Sequence, residues 1–81
     1  MENVTVIGGS GFLGIEVSKE LIHRNYKVKI FDKNSPKFSN KNLVYIQGDI
    51  LDKKKLEKAI KGSSYVYNFA GIADLDYGVH Q

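Results

Sequence analysis

The hydrophobic pattern of the chain consists of short apolar runs separated by longer stretches in which apolar residues recur with a helical period. Four runs are rich in β-branched and aromatic residues and are bounded by polar or glycine-containing segments, which is typical of strands. The first shows no polar alternation, as expected of a strand buried on both faces, whereas the second alternates and is placed nearer a sheet edge. The predicted strands cover residues 3–7, 27–31, 43–47 and 65–70.

A helix is predicted from residue 11 to about residue 24. Leu13, Val17 and Leu21 recur at four-residue spacing with Gly14 and Ser18 beside them. One side of the helix is therefore apolar and narrow enough to lie on a sheet. Asn25 is predicted to cap this helix in a left-handed conformation, since asparagine tolerates positive φ better than most residues.

A second helix is predicted between the third and fourth strands. Asp52 is its expected N-cap, its apolar side runs to Ile60, and Gly62 ends it. Residues 33–42 contain the single proline and several polar residues, and we interpret them as a surface loop. Residues 72–81 show no clear period.

This order of elements predicts the fold class. Strand, helix, strand, loop, strand, helix, strand is the series expected of right-handed crossovers in a parallel sheet. With a glycine turn after the first strand, it predicts an α/β protein with a Rossmann-type doubly wound parallel sheet, strand order 3-2-1-4. No repeat or linker is visible, so residues 1–81 are expected to form one unit.

Composition narrows the class of protein. The 81 residues are 42% apolar with a net charge of +3, which is typical of a globular chain rather than a disordered one. There is no cysteine, and the two histidines have no metal-ligand spacing, so neither a disulfide nor a metal site is expected. No apolar run approaches the roughly 18 residues of a membrane helix, and the first strand leaves no room for a signal peptide. We therefore expect a cytoplasmic protein without a membrane partner.

Lysines cluster in residues 53–61, which raises the alternative of a nucleic-acid partner. No interleaved aromatic residues, helix-turn-helix or finger spacing accompanies them, so a solvated helix face is the better interpretation.

Glycines follow the first strand at the spacing G-x-x-G-x-x-G, formed by Gly8, Gly11 and Gly14. In the doubly wound fold such a turn lets the main chain approach a pyrophosphate at the N-terminus of the next helix. We expect Gly8 to form the turn, Gly11 to admit the phosphate, and Gly14 to let helix and strand pack closely. The alternative is a turn that merely joins two elements.

An acidic residue follows each of the next two predicted strands. Asp32 lies where a carboxylate can accept hydrogen bonds from the adenosine ribose, which favours NAD over NADP; Lys33 beside it softens that preference. Its alternative role is to cap a turn. Asp49 is expected either at the adenine end of the same crevice or as a turn cap before the second helix.

The end of the fourth strand, Phe69-Ala70-Gly71, lies beside the first strand, where strand order reverses and ligands of open α/β sheets bind. Small residues there let a dinucleotide pass over the main chain. Tyr65 and Tyr67 are interpreted as sheet packing rather than as acids.

Four motifs in order resemble those of the extended short-chain dehydrogenase/reductase superfamily, in particular its NAD-dependent sugar epimerases and dehydratases. They are the turn at residues 6–14, then Asp32, then Gly48-Asp49-Ile50, then residues 68–71. The resemblance implies roles at a bound NAD, with NADP less favoured. The pyrophosphate would contact the glycine turn, and the ribose would contact Asp32. The adenine would contact the residues that follow the third strand. The implied cofactor residues are Gly8, Gly11, Phe12, Leu13, Gly14, Asp32, Asn34, Ser35, Asp49, Ile50, Phe69, Ala70 and Gly71.

The family's catalytic Tyr-x-x-x-Lys pair has no counterpart, because no tyrosine here is followed by lysine four residues later. We therefore assign no catalytic residue. The resemblance implies a truncated N-terminal NAD-binding module, with a nucleotide-sugar substrate bound only by a longer parent. A non-catalytic dinucleotide sensor, or a nucleic-acid-binding or assembly fragment, are the alternatives.

A homo-oligomer is also expected. If no further strand lies beyond the fourth, residues 65–70 form an apolar edge able to pair with a second copy. The tail of residues 72–81 is the alternative contact.

Overall fold

The computed structural model describes residues 1–70, in which every predicted element is present. The second strand includes Asp32, and the fourth ends at Asn68, two residues before the predicted end. The predictions for Gly71 and for residues 72–81 lie outside the described residues. The elements are β1 (Asn3–Ile7), α1 (Phe12–His23), β2 (Lys27–Asp32), β3 (Leu43–Gln47), α2 (Lys53–Ile60) and β4 (Tyr65–Asn68).

The strands form one parallel sheet in the order β3-β2-β1-β4, which confirms the predicted topology. In β1, Val6 pairs with Ile30 of β2 on one side and with Tyr67 of β4 on the other. Strand order therefore reverses beside β1, and a crevice forms there at the carboxyl edge of the sheet.

The two helices cover opposite faces of the sheet. On one face Val6 and Ile30, both fully buried, pack with Leu21 of α1. On the other face Phe31, also fully buried, packs with Ala59 of α2. Because side chains alternate along a strand, β1 and β2 each contribute residues to both clusters. In β1 both faces are buried, which is why it shows no polar alternation.

The face of α1 that meets the sheet is the predicted one except at Leu13. Gly14, Ser18 and Leu21 are buried, whereas Leu13 is 48% exposed. Gly14 and Ser18 are small enough to bring the helix close to the sheet, and this sets its rotation. Leu13, about 100° away from Gly14 around the helix, then turns outward.

The helix ends follow the predicted capping chemistry. Asn25 has φ of 71°, and the amides of Asn25 and Tyr26 donate to the carbonyls of Ile22 and Leu21, the pattern of a Schellman motif. At the start of α2, the Asp52 carboxylate accepts from the amide of Lys55 at 3.2 Å. The elements on either side of the sheet are thus fixed by local signals in the sequence.

Residues 1–70 contain neither a membrane-spanning helix nor a cluster of metal ligands. No helix there has both the length and the apolarity to cross a membrane. In the same residues no three acidic, histidine or cysteine side chains gather as metal ligands would.

Candidate functional site

A cleft of about 570 Å³ opens at the carboxyl edge of the sheet, between the segments that follow the four strands. Eight of the residues implied by the resemblance line it. They are Gly8, Gly11, Asp32, Asn34, Asp49, Ile50, Phe69 and Ala70. Residues far apart in sequence meet here because parallel strands bring all their carboxyl ends to one edge.

The glycine turn forms one wall of the cleft. Gly8 has φ of +75°, and a Cβ there would lie 2.8 Å from the amide nitrogen of Ala70. Only glycine therefore allows the ends of β1 and β4 to run so close. At Gly11 the nearest atom to an added Cβ is the Gly8 carbonyl oxygen at 3.8 Å, so open space lies above it.

Gly14 brings the helix against the turn itself, rather than against the strand as predicted. A Cβ at Gly14 would lie 2.5 Å from Cα of Gly9 and 2.7 Å from the Gly8 carbonyl oxygen. Gly11 is the N-cap and has no side chain with which to satisfy the first amides of α1. Those amides, together with the helix dipole, form a place suited to an anion at the cleft.

Both oxygens of Asp32 accept main-chain hydrogen bonds. Oδ2 accepts from the amide of Ser10 in the glycine turn, and Oδ1 from the amide of Asn34, each at 3.0 Å. The turn-capping alternative is thus realised in the structure. A carboxylate oxygen has two lone pairs, so Asp32 retains capacity to accept from ribose hydroxyls in the cleft.

The main chain at the end of β2 and just after it is held by side chains from outside that segment. The Tyr45 hydroxyl of β3 donates to the carbonyls of Asp32 and Lys33, at 3.1 and 3.2 Å. The Ser10 hydroxyl donates to the carbonyl of Asn34. Burial, and then the negative charge of Asp32, raise the pKa of Tyr45, so its phenol keeps its proton at neutral pH.

Asp49 caps a turn and also lines the cleft. Its Oδ1 accepts from the amide of Leu51 at 2.9 Å, as in a turn cap, while its Oδ2 lies 3.8 Å from Nζ of Lys33. The ion pair joins the segments after β2 and β3 at the cleft. Ile50 and Leu51 expose apolar surface beside it, suited to the face of a base.

Some predicted residues lie elsewhere. Gly14 packs under the turn, and Phe12, Leu13 and Ser35 are exposed outside the cleft lining. Any contact of Phe12 or Leu13 with a phosphate would use main-chain amides. Sequence reasoning did not assign Ser10, Phe31, Lys33, Gly48 and Leu51, which also line the cleft. Most are direct neighbours of assigned residues, and Ser10 lies inside the glycine motif, so adjacency was an available signal.

The fold and site together define a class of protein. A parallel 3-2-1-4 sheet with a glycine turn after β1 and an aspartate ending β2 is the dinucleotide-binding arrangement of the short-chain dehydrogenase/reductase superfamily. The predicted resemblance to its extended members is confirmed by the comparisons with known proteins.

The chain belongs to the 3-beta hydroxysteroid dehydrogenase/isomerase family, whose sequence model matches residues 5–81. It is 41% identical over 66 residues to a sterol-4-alpha-carboxylate 3-dehydrogenase, decarboxylating, from Mus musculus, covering 82% of this chain and 18% of that protein. It is 34% identical over 73 residues to a 3-beta-hydroxysteroid dehydrogenase from Mycolicibacterium neoaurum, covering 89% of this chain and 20% of that protein. The chain thus spans about a fifth of the length of these relatives.

Solved structures show the same fold. A UDP-glucose 4-epimerase from Thermotoga maritima, with UDP-glucose, is 32% identical with a TM-score of 0.72, over 84% of this chain and 24% of that one. A short chain dehydrogenase from Leptospira borgpetersenii, with bound NAD+, is 25% identical with a TM-score of 0.65, over 70% of this chain and 23% of that one.

Proposed function

We propose that the chain is the NAD-binding part of an oxidoreductase of the extended short-chain dehydrogenase/reductase type. The observation that carries the proposal is that one cleft is shared by the open N-terminus of α1 at Gly11 and the carboxylate of Asp32. One provides a place for a pyrophosphate and the other an acceptor for ribose hydroxyls. Support also comes from the Leptospira borgpetersenii dehydrogenase, which holds NAD+.

The residues of the cleft fit the adenosine half of the cofactor. The pyrophosphate would lie over Gly11, where a Cβ would have open space rather than a neighbour. The ribose would donate to Asp32, and the adenine would lie against Ile50 beside Asp49. Phe69 and Ala70, which follow β4, would line the part of the cleft through which the dinucleotide runs. Bound NAD would supply a hydride acceptor; residues 1–70 are proposed to bind and orient it.

The charge at Asp32 favours NAD over NADP in this proposal. A 2′-phosphate would bring negative charge to a carboxylate that already accepts two main-chain hydrogen bonds. The adjacent cation, Nζ of Lys33, lies 3.8 Å from Oδ2 of Asp49. The Asp49 carboxylate therefore partly neutralises the positive charge of Lys33.

The substrate class follows from the family and is part of the proposal. The family match and the Mus musculus and Mycolicibacterium neoaurum relatives favour the oxidation of a sterol or steroid hydroxyl. A nucleotide sugar is the second candidate, favoured by the likeness to the Thermotoga maritima epimerase with UDP-glucose. We assign no catalytic residue within residues 1–70, and propose that binding rather than catalysis is their part.

A self-association through β4 is also proposed. Tyr65, Val66 and Tyr67 are each between 42% and 50% exposed and uncharged. Within residues 1–70, β4 pairs with β1 alone, so its outer edge can accept another strand.

Calorimetric titration with NAD, NADP and ADP tests the cofactor assignment. We expect weak binding of NAD, a similar affinity for ADP because the adenosine half carries the contacts, and weaker binding of NADP. No binding of ADP would contradict the pyrophosphate site. A preference for NADP would contradict the role of Asp32.

A further inference from the structure

Three consecutive main-chain carbonyls, from the last residue of β2 onward, each accept a hydrogen bond from a side chain elsewhere in the fold. The Tyr45 hydroxyl donates to those of residues 32 and 33, the Gln47 amide to that of residue 33 at 3.3 Å, and the Ser10 hydroxyl to that of residue 34. We call residues 32–34 the ribose segment, because Asp32 begins it. The Asp32 carbonyl also accepts from the main-chain amide of Gly48 at 3.1 Å. The conformation of the ribose segment is thus fixed by β3, by the residue that follows it and by the glycine turn.

Tyr45 is the central donor to the ribose segment. It lies opposite Ile30 in the β2–β3 register, and its ring packs against the core cluster on the α1 face. The hydroxyl has one proton, which it shares between two carbonyl oxygens. Both distances exceed the 2.7–2.8 Å usual for a hydroxyl donor, as expected when one proton serves two acceptors.

The orientation of the Asp32 carboxylate depends on this arrangement. Its two oxygens accept from Ser10 and Asn34, so the direction of their free lone pairs follows the main chain that carries Asp32. Tyr45 does not line the cleft and so has no contact there with a ligand. Any effect of Tyr45 on binding must pass through the ribose segment.

We propose that Tyr45 is a positioning residue: by holding the carbonyls of Asp32 and Lys33 it sets the geometry with which Asp32 recognises the ribose 2′-hydroxyl of an adenosine nucleotide. This inference rests on the proposed function, and it adds a specificity-determining residue that lies outside the cleft.

A pair of ligands and a pair of variants test it. ADP and 2′-deoxy-ADP differ only in the 2′-hydroxyl, which would donate a hydrogen bond to Asp32. The ratio of their dissociation constants therefore isolates that contact. Tyr45→Phe removes the phenol oxygen. Tyr26→Phe is the matched control, because Tyr26 packs against the same core cluster but its ring lies edge-on to Tyr65, away from the ribose segment.

We expect the wild type and Tyr26→Phe to bind ADP about tenfold or more tightly than 2′-deoxy-ADP, the ratio given by a hydrogen bond to a charged group. In Tyr45→Phe the ratio should fall to about threefold or less, with 2′-deoxy-ADP binding nearly unchanged. A merely structural role would weaken both ligands equally and leave the ratio intact, which would overturn the inference.

Two further outcomes separate the inference from the function on which it rests. If the wild type does not discriminate between the two ligands, the role of Asp32 fails and the inference fails with it. If the wild type discriminates and Tyr45→Phe does so equally, only the inference fails. Should Tyr45→Phe not fold, Gln47→Met removes the other side-chain donor to the Lys33 carbonyl and leaves Tyr45 intact. The ratio should then stay at about tenfold or more; a fall to about threefold or less would assign the positioning to Gln47 and overturn the proposal.

Discussion

The hydroxyl of Thr5, in the middle of β1, donates a hydrogen bond of 2.9 Å to the carbonyl of Ala59 in the last turn of α2. Thr5 is fully buried, and its hydroxyl also contacts that of Ser63 just after the helix. A side chain of the first strand thus supplies a hydrogen-bond donor to a carbonyl at the end of a helix 54 residues later in the sequence. Because α2 is short and buries few apolar side chains, this bond is an important part of its attachment to the sheet.

Thr5→Val should therefore destabilise the fold although it conserves shape. The variant removes the donor and leaves a carbonyl of α2 without that partner, at a cost of about 1–2 kcal/mol in the free energy of unfolding. Urea denaturation measures the loss. Thr5→Ser keeps the hydroxyl and loses only a methyl group, so it should retain the hydrogen bond. A Thr5→Val variant as stable as Thr5→Ser would show that the bond is unimportant.

Gly14→Ala should destabilise the protein even though alanine normally favours a helix over glycine by up to about 1 kcal/mol. The new Cβ would lie 2.5 Å from Cα of Gly9, and a main-chain atom cannot move aside as a flexible side chain can. The glycine turn would have to shift. We expect a lower melting temperature and, since the turn is displaced, weaker binding of NAD. An unchanged melting temperature would contradict the close contact.

Gly11→Ala, in contrast to Gly14→Ala, should weaken NAD binding without lowering stability. Its Cβ would meet nothing closer than 3.8 Å and its φ is −77°, so the free energy of unfolding should change little. The methyl group would instead occupy the space proposed for the pyrophosphate, and NAD affinity should fall. Calorimetry and thermal melting on both glycine variants check the two effects separately. Full NAD affinity in Gly11→Ala would place the phosphate elsewhere.

Asp32→Ala should lower NAD affinity by about 1.5–3 kcal/mol, the value of a hydrogen bond to a charged group. The penalty against NADP should shrink with it, because the carboxylate that opposes the 2′-phosphate is gone. Asp52→Ala is the matched control: that carboxylate also accepts from a main-chain amide, but at the cap of α2, outside the cleft lining. It should lower stability by about 1 kcal/mol and leave NAD affinity unchanged. Equal losses of NAD affinity in both variants would contradict a ribose contact at Asp32.

The elements of the fold could be predicted because their signals are local. Apolar runs marked the strands, Asn25 and Asp52 marked helix ends, and the order of elements with a glycine turn gave the sheet topology. The exposure of Leu13 could not be predicted from the helical period alone. The buried face follows the small residues Gly14 and Ser18, which contribute nothing to a hydrophobic pattern but decide how closely the helix can approach.

The residues of the site, like the elements of the fold, could be predicted only in part from local signals. Asp32 and Asp49 were found because each ends or follows a strand, and strand ends meet at one edge. The sequence left open whether each aspartate caps a turn or faces the cleft. In the structure each aspartate caps a turn and also lines the cleft. Tyr45 was not found as part of the site, because its effect depends on a contact between its hydroxyl and main-chain carbonyls of another strand. Main-chain acceptors have no signature in a sequence.

The ion pair of Glu20 and Arg24 gives a small pH dependence. The hydrogen bond from Arg24, and then its positive charge, lower the pKa of Glu20. A pKa below that of the unfolded chain contributes stability above the unfolded pKa, which is lost as the pH falls through the folded one. Both side chains are exposed, so solvent and salt screen the effect.

A double-mutant cycle of Glu20→Gln and Arg24→Gln should thus show a small favourable coupling at pH 7. Urea denaturation of the four proteins measures it. The coupling should vanish below the pKa of Glu20 and in high salt. A coupling that persists in acid would mean that the two side chains interact through packing rather than charge.

The outer edge of β4 should bring two copies together. Tyr65, Val66 and Tyr67 are consecutive, uncharged and half exposed. The outer strand at the other edge, β3, is more covered, with only Val44 among its large apolar residues exposed, at 39%. An apolar edge with free main-chain donors and acceptors is a template for pairing, and a lysine on it opposes such pairing.

Val66→Lys and Val44→Lys place the same charge on the two edges of the sheet. Sedimentation at micromolar concentration should show a dimer or larger species for the wild type and for Val44→Lys, and a monomer for Val66→Lys. A monomer only in Val44→Lys would move the contact to β3. A wild type that remains monomeric at all concentrations and melts cooperatively would refute self-association through either edge.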